Sequence, residues 1–350
     1  MTLGLVLAPA TAALAAATRL VDPGGSDVGD CTVNPCASIG YALTKSVNGD
    51  TISVASGTYT EAGITVDKSV DIVGADEANT IVQAAAAPGV AITRVMAVTV
   101  GVEVTIEELT IRHGNVIADG GGIHNRGTLT IANSTLSGNS ADWGMGGGIF
   151  NRSGTLTISN STLSGNSASN GGGISNANGT LTISNSTLSG NSGRGIFNYG
   201  TLTISNSTLS GNSGGGILND NTLTIDNSII TNSTGGGDCI NYSTIGGSNN
   251  LLDDFATTDC TGISTAAVTN FDTNLADNGG STLTHALLPG SNAIDAGINS
   301  CPDHNGVPLT TDQRGFVRPQ GVACDIGAFE FDATPPEQHI YLPIVINSSP

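Results

Sequence analysis

The chain has 350 residues, 49 of them glycine and only 4% aromatic, which suits a long domain with a thin aliphatic core better than a globular α/β enzyme. Its net charge of −19, with ten lysines and arginines in all, argues against nucleic acid or an anionic membrane surface as a partner. The acidity is uneven: between Gly127 and Ile225 only Asp142 and Asp220 are acidic, so the charge gathers toward the two ends.

Residues 1–17 carry no charge and end in Ala15-Ala16-Ala17, the small-x-small form of a signal-peptidase site, so export is expected. The run is interrupted by Pro9 and is too short for a membrane-spanning helix, so no integral span is expected. Residues 18–50 read as an N-terminal cap. After Cys31 and Cys36, Ser38 can cap a short helix whose Ile39, Ala42, Leu43 and Val47 form one apolar stripe. From Thr51 to Val73 the pattern changes to alternation, with Ile52, Val54, Ile64, Val66, Val70 and Ile72 as inward residues. Val90 to Ile111 continues less regularly, as VMAVTV and VEVTIEELTI.

The regular repeats run over about 120–234, where GGGIHNRGTLTIANSTLSGNS is followed by three close copies and a degraded fifth. The isoleucines of TLTI, namely Ile131, Ile158, Ile183, Ile204 and Ile225, are 27, 25, 21 and 21 residues apart, a period that signals stacked coils. TLTI and STLS alternate as strands do, with Leu129 and Ile131 on one face and Thr128 and Thr130 on the other. Three strands per copy, around GGGI, TLTI and STLS, make one turn of a three-sided coil. Stacking then lines up aliphatic ladders inside and three asparagine ladders at the corners, headed by Asn125, Asn133 and Asn139. One coil with about four buried aliphatics gains only roughly 8 kcal/mol, well short of the ordering cost of its backbone. The stack is therefore the folding unit.

This pattern resembles the right-handed parallel β-helix repeats of secreted bacterial proteins, the fold shared with pectate lyases. The resemblance, with the general hand of parallel crossovers, implies an all-β architecture: a right-handed three-sided parallel β-helix (solenoid) over residues 51–248. Asp50-Thr51-Ile52 and Gly57-Thr58-Tyr59 match the entry phrase of such proteins. In residues 249–331, NGGSTLTHALLPGSNAIDAG, TDQRGFVRPQG and CDIGAFE occur in order. These phrases resemble the choice-of-anchor Q region of the same secreted proteins, which implies a C-terminal cap after the coil and retention at the cell surface. Residues 332–350 read as a flexible tail. Six cysteines in an exported chain point to disulfides, and closeness in sequence favours Cys31 with Cys36, Cys239 with Cys260, and Cys301 with Cys324.

Pectinolytic β-helix enzymes need stacked carboxylates for hydrolysis, or calcium-binding acids plus a base for β-elimination. The regular coils offer asparagine, serine and threonine at those places, and lysine is absent from the repeats. The best cluster is His113, Asp119, His124 and Asp142, read as solvated corner residues, and no catalytic or metal site is expected. Structural calcium on Asp22, Asp27 and Asp30, or on Asp253, Asp254 and Asp259, is the one cofactor considered, although neither set has an ordered ligand pattern. Arg314, with Asp312 and Asp325 nearby in sequence, reads as a pin of the C-terminal fold. The candidate ligand-binding residues are His124, Trp143, Phe150, Phe197 and Tyr199, with Trp143 in the ADWGM insertion that lengthens one coil. The expected function is a non-catalytic, adhesin-like or structural surface protein that binds polysaccharide or another cell-surface component. One alternative is a polysaccharide lyase or hydrolase. The other is an ice-binding protein, because the Thr-x-Thr rows from Thr128 and Thr130 to Thr222 and Thr224 resemble the ice-binding face of small β-helical antifreeze proteins.

Overall fold

The computed structural model describes residues 16–253, 260 and 263–332. The leader reading up to residue 15, the acids Asp254 and Asp259, and the tail from residue 333 lie outside the described residues. Among the described residues no helix is long and apolar enough to cross a membrane.

The repeats stack in parallel, residue on identical residue. Leu129, Leu156, Leu181, Leu202 and Leu223 are successive register partners, as are Ile131, Ile158, Ile183, Ile204 and Ile225. These strands belong to a ten-stranded TLTI sheet, which faces a ten-stranded TLS sheet and an eight-stranded GGGI sheet around one aliphatic core. Both ladders, and the isoleucines Ile123, Ile149, Ile174, Ile196 and Ile217 of the GGGI sheet, are fully buried. The TLTI sheet begins with Thr18–Val21, which pairs with Thr51–Val54, so the coil starts inside the segment read as a cap. At the other end Asn250–Leu252 and Ser264–Ala266 extend the TLS sheet past residue 248.

A fourth, three-stranded sheet stands outside this triangle: Asn115–Val116, Ser140–Met145 and Ser167–Asn170. It explains the uneven spacing of the repeats. The coils that step by 27 and 25 residues hold their extra length there, whereas the 21-residue coils pass straight from corner to corner.

The asparagine ladders are as expected. Asn125 donates to Asn151, Asn151 to Asn176, Asn176 to Asn198, and Asn198 to Asn219, at 2.6–2.8 Å and fully buried. Asn139, Asn166, Asn191 and Asn212 repeat this at 3.0–3.1 Å along another corner. Asn133, Asn160, Asn185, Asn206 and Asn227 all have φ between 47° and 52°, the left-handed bend that asparagine tolerates.

The N-terminal helix runs Ile39–Lys45, and Ser38 accepts the Tyr41 N–H. Glu61 accepts the N–H groups of Ile39 and Gly40, so the first turn is satisfied by the coil it covers. Ile39, Ala42 and Leu43 are buried, while Val47 lies past the helix end. All three disulfides pair as expected: Cys31–Cys36, Cys239–Cys260 and Cys301–Cys324.

The C-terminal region does more than cap the coil: Cys260 and Ile263 join the end of the aliphatic core, and the rest lies back along the flank, over the outward threonines of the TLS sheet. Gln313 donates to Thr162 and accepts from Thr187, and Thr208 accepts the Ala328 N–H. Asn185, Asn206 and Asn227 donate to the carbonyls of Thr311, Pro302 and Asp325. Each coil presents the same polar pair on this side, so a segment with almost no strand of its own finds partners by following the stack.

Candidate functional site

Each GGGI strand has one outward position, between its inward isoleucine and its corner asparagine. Along the stack this column reads Ala97, His124, Phe150, Ser175, Phe197 and Leu218. The column therefore unites three of the candidate ligand residues. His124 and Phe150 meet edge-on at 5.3 Å, and Phe197 meets Tyr199 edge-on at 4.6 Å.

Outward does not mean open. Phe150 and Phe197 are only 3% and 6% exposed. The glycine turn that returns from the side sheet folds tightly against this strand: a Cβ on Gly146 would stand 2.3 Å from the Ile149 carbonyl oxygen and 2.8 Å from the Phe150 Cα. Only glycine fits so close an approach, at φ 70°. The phenyl rings are thus the floor of the face, while its rims are what a ligand would meet first. Trp143, on the outermost part of the side sheet, is 85% exposed, and Tyr199 at the opposite corner is 41% exposed.

The same face holds four of the ten cationic side chains. Arg126 and Arg152 follow Asn125 and Asn151 at the corner, on consecutive coils, and are exposed. A groove of about 370 Å³ beside Arg126 is lined by Ser69, Glu103, Thr128, Ser153 and Thr155. Arg94 and Arg194 are half-buried; Arg94 donates to the Asp119 and Gly120 carbonyls, and Arg194 to Asn170. Among the described residues none of the four forms an ion pair, since the four pairs present use Arg19, Lys68, Arg314 and Arg318.

Burial, reinforced by the Arg94 charge, pushes His124 down to about 4, so its imidazole is neutral at ordinary pH. Its Nε2, the Ser175 hydroxyl and the Arg194 Nε are buried and meet no hydrogen-bond partner. Of the expected cluster, Asp119 lies near enough to act electrostatically on His124, but its carboxylate accepts the Met145 N–H at 2.9 Å. Asp142 accepts from the Ser140 hydroxyl at 2.6 Å. His113 sits at the corner after the TLS sheet, bonded to the Ala85 carbonyl and beside Gly138. Arg94 was not singled out from the sequence; its position becomes visible only through the pairing of Met96 with Ile123.

The acids considered for calcium turn to the protein. Asp22 accepts from Gly24, Asp30 from Thr32, and Asp27 from the N–H groups of Ala37 and Ser38 and the Ser38 hydroxyl. Asp253 accepts from the Thr231 hydroxyl and the Asn232 and Val268 N–H groups. Among the described residues no three His, Cys, Asp or Glu side chains are grouped to hold a metal ion. Arg314 does pin the C-terminal region: it pairs with Asp312 at 2.6 Å and lies over the Phe329 ring at 3.5 Å.

No protein-family model matches the chain, and no curated protein matches it. Among solved structures it is similar to pectate lyase Pel9A, with 18% identity over 91% of this chain and 98% of that one and a TM-score of 0.42. It is also similar to a rhamnogalacturonan lyase, with 12% identity over 66% of this chain and 62% of that one and a TM-score of 0.29. A third likeness is to the PL6 family alginate lyase AlyGC, with 14% identity over 85% of this chain and 58% of that one and a TM-score of 0.21.

Proposed function

We propose that the chain is an exported, surface-held β-solenoid that binds an acid-bearing polysaccharide along its GGGI face without cleaving it. The observation that carries this reading is the row of unpaired arginines, Arg94, Arg126, Arg152 and Arg194, on one face of a chain whose net charge is −19. Cations outside any ion pair on so acidic a protein suit an anionic ligand, although the Asp119 charge acts on Arg94 and Glu103 lines the groove beside Arg126. The exposed Trp143 and Tyr199 rims offer faces on which sugars stack. A repeat along the stack matches a repetitive ligand, with affinity built from many weak contacts. Non-catalysis is supported by the carboxylates: Asp119 and Asp142 are engaged with Met145 and Ser140, and His124 is half-buried. The choice-of-anchor Q-like phrases and three disulfides favour the cell surface as the place of work.

The test is retention on immobilised polygalacturonate or alginate beside a neutral glucan. Retention should favour the acidic chains, weaken with salt, and fall about tenfold in Trp143→Ala and in the Arg126→Ala, Arg152→Ala pair at unchanged melting temperature. Equal retention on the neutral glucan would remove the arginine argument. Unsaturated products released from either acidic chain, and abolished by His124→Ala or Asp142→Asn, would make the chain a lyase instead.

A further inference from the structure

Four Asn-Gly pairs occur in the chain, beginning at Asn48, Asn178, Asn278 and Asn305. In such a pair the asparagine side-chain carbonyl lies within reach of the next backbone nitrogen, which glycine, having no Cβ, leaves unshielded. Three of the four are tied down. The Gly49 N–H donates to the Ser69 carbonyl, the Gly279 N–H to the Asp277 carboxylate and the Gly306 N–H to the Asp303 carbonyl. Asn48 and Asn278 also engage their side chains, the first accepting the Ser69 N–H and the second donating to the Ala276 and Thr284 carbonyls. The fourth pair differs. Asn178 is exposed at the corner between the GGGI and TLTI sheets, and neither its side chain, its backbone carbonyl nor the Gly179 N–H meets a hydrogen-bond partner among the described residues. The groups around that peptide plane are fixed: the Gly179 carbonyl accepts from Thr201 and Asn176, and the Thr180 N–H donates to Gly154. One unbonded peptide plane is left to turn within an otherwise bonded corner.

We propose that Asn178 modifies itself there and that the product retunes the arginine face. The Gly179 nitrogen, giving up its proton, attacks the Asn178 side-chain carbonyl carbon; the bond from that carbon to the amide nitrogen breaks, and ammonia leaves with the proton. Water then opens the succinimide at either carbonyl, leaving aspartate, or isoaspartate in which the main chain runs through the former side chain. The new carboxylate stands one residue past Ala177, the register partner of Arg152, in a stretch with no acid between Asp142 and Asp220. It supplies that exposed arginine with a counter-charge, so an acidic polysaccharide meets one free cation fewer; this second step rests on the function proposed above. One coil earlier the same corner carries Ser153, at φ 56° against 57° for Asn178. The fold therefore accepts there a side chain that cannot cyclise.

The experiment ages the purified chain at mildly alkaline pH, maps isoaspartate by peptide mass spectrometry and enzymatic isoaspartyl methylation, and follows retention on immobilised polygalacturonate. Isoaspartate should form at Asn178 ahead of Asn48, Asn278 and Asn305, and faster as pH rises, because the deprotonated nitrogen is the attacking group. Retention of aged wild type should fall about threefold, the worth of one exposed ion pair. Asn178→Asp should show that loss when fresh, and Asn178→Ser should keep its retention on ageing. No isoaspartate at Asn178, or formation no faster than at the three tied pairs, overturns the modification. Isoaspartate at Asn178 with retention unchanged, both in aged wild type and in Asn178→Asp, overturns the retuning. If fresh wild type is not retained at all, the reading of the face fails, while the isoaspartate map still decides the modification.

Discussion

The repeat shaft and the C-terminal region are both buried against the same coils, yet they are held in opposite ways. The shaft uses no ion pair: its corners are amide ladders and its interior is leucine and isoleucine, each coil completing the one below. The C-terminal region has little regular strand, so its backbone groups and charges need individual partners. Arg318 is buried at 3% exposure, pairs with Glu330 at 2.8 Å, and also donates to Asn185 and to the Asp325 and Gly327 carbonyls. Where a sequence repeats, one solution serves every coil; where it does not, each polar group has to be satisfied separately.

The comparison breaks most sharply in the shaft. Ile183→Asp places an unpaired carboxylate among fully buried aliphatics and should abolish cooperative folding of the central coils, seen as loss of the β-type circular dichroism signal. A variant that melts like wild type would refute the inward ladder. Arg318→Ala should act more locally. It leaves Glu330 buried without its partner, at a cost of about 3–5 kcal/mol, so proteolysis should release the region after residue 263 while the shaft keeps its transition. A single lowered transition for both would show that the two regions do not unfold separately.

The smallest effect is with pH. Burial pushes Asp325 up to about 6 and raises Glu61 and Glu77 as well. At these three groups the folded chain holds the extra protons, so their contribution to stability rises as pH falls from about 6 toward about 4. His113, His124 and His285, held neutral by burial in the fold, act the other way once the unfolded chain takes up their protons below about 6.5. Asp50 also opposes the carboxyl gain at lower pH. Burial raises it, but the Ala17 and Val47 N–H groups and Arg19 together bring it below its usual range, and their stabilisation is lost once it is protonated. Hydrogen exchange of the C-terminal amides in wild type and in Asp325→Asn, between about pH 4 and 7, should show wild type gaining protection relative to the variant on the acid side; a constant difference would contradict the Asp325 assignment.

The shaft was legible because its residues recur in phase: Leu129 and its four successors had to share an environment, and so did each asparagine ladder. The helix cap and the disulfide pairs were legible from local order alone. The burial of Phe150 was not, because it depends on how closely the Gly146 turn returns, which periodicity does not encode. Nor was the lateral docking of the C-terminal region. Gln313 meets Thr162 and Thr187 across about 150 and 126 residues of sequence, and nothing near Gln313 announces that pairing.

That docking has a consequence for how such a chain can grow. Duplicating a 21-residue copy is the simplest way to lengthen a solenoid, and identical neighbours accept the newcomer on either side. Between Asn160 and Asn249, however, the flanking segment touches five successive corners: Thr282 reaches Asn160, and Asn185, Asn206, Asn227 and Asn249 reach Thr311, Pro302, Asp325 and Ala296. A coil inserted there shifts every later corner by one rung against a segment of fixed length. Inserted before Asn133 it shifts nothing the segment touches. In this protein the C-terminal region is a gauge, fixing the number of coils beneath it and leaving the number ahead of it free to drift.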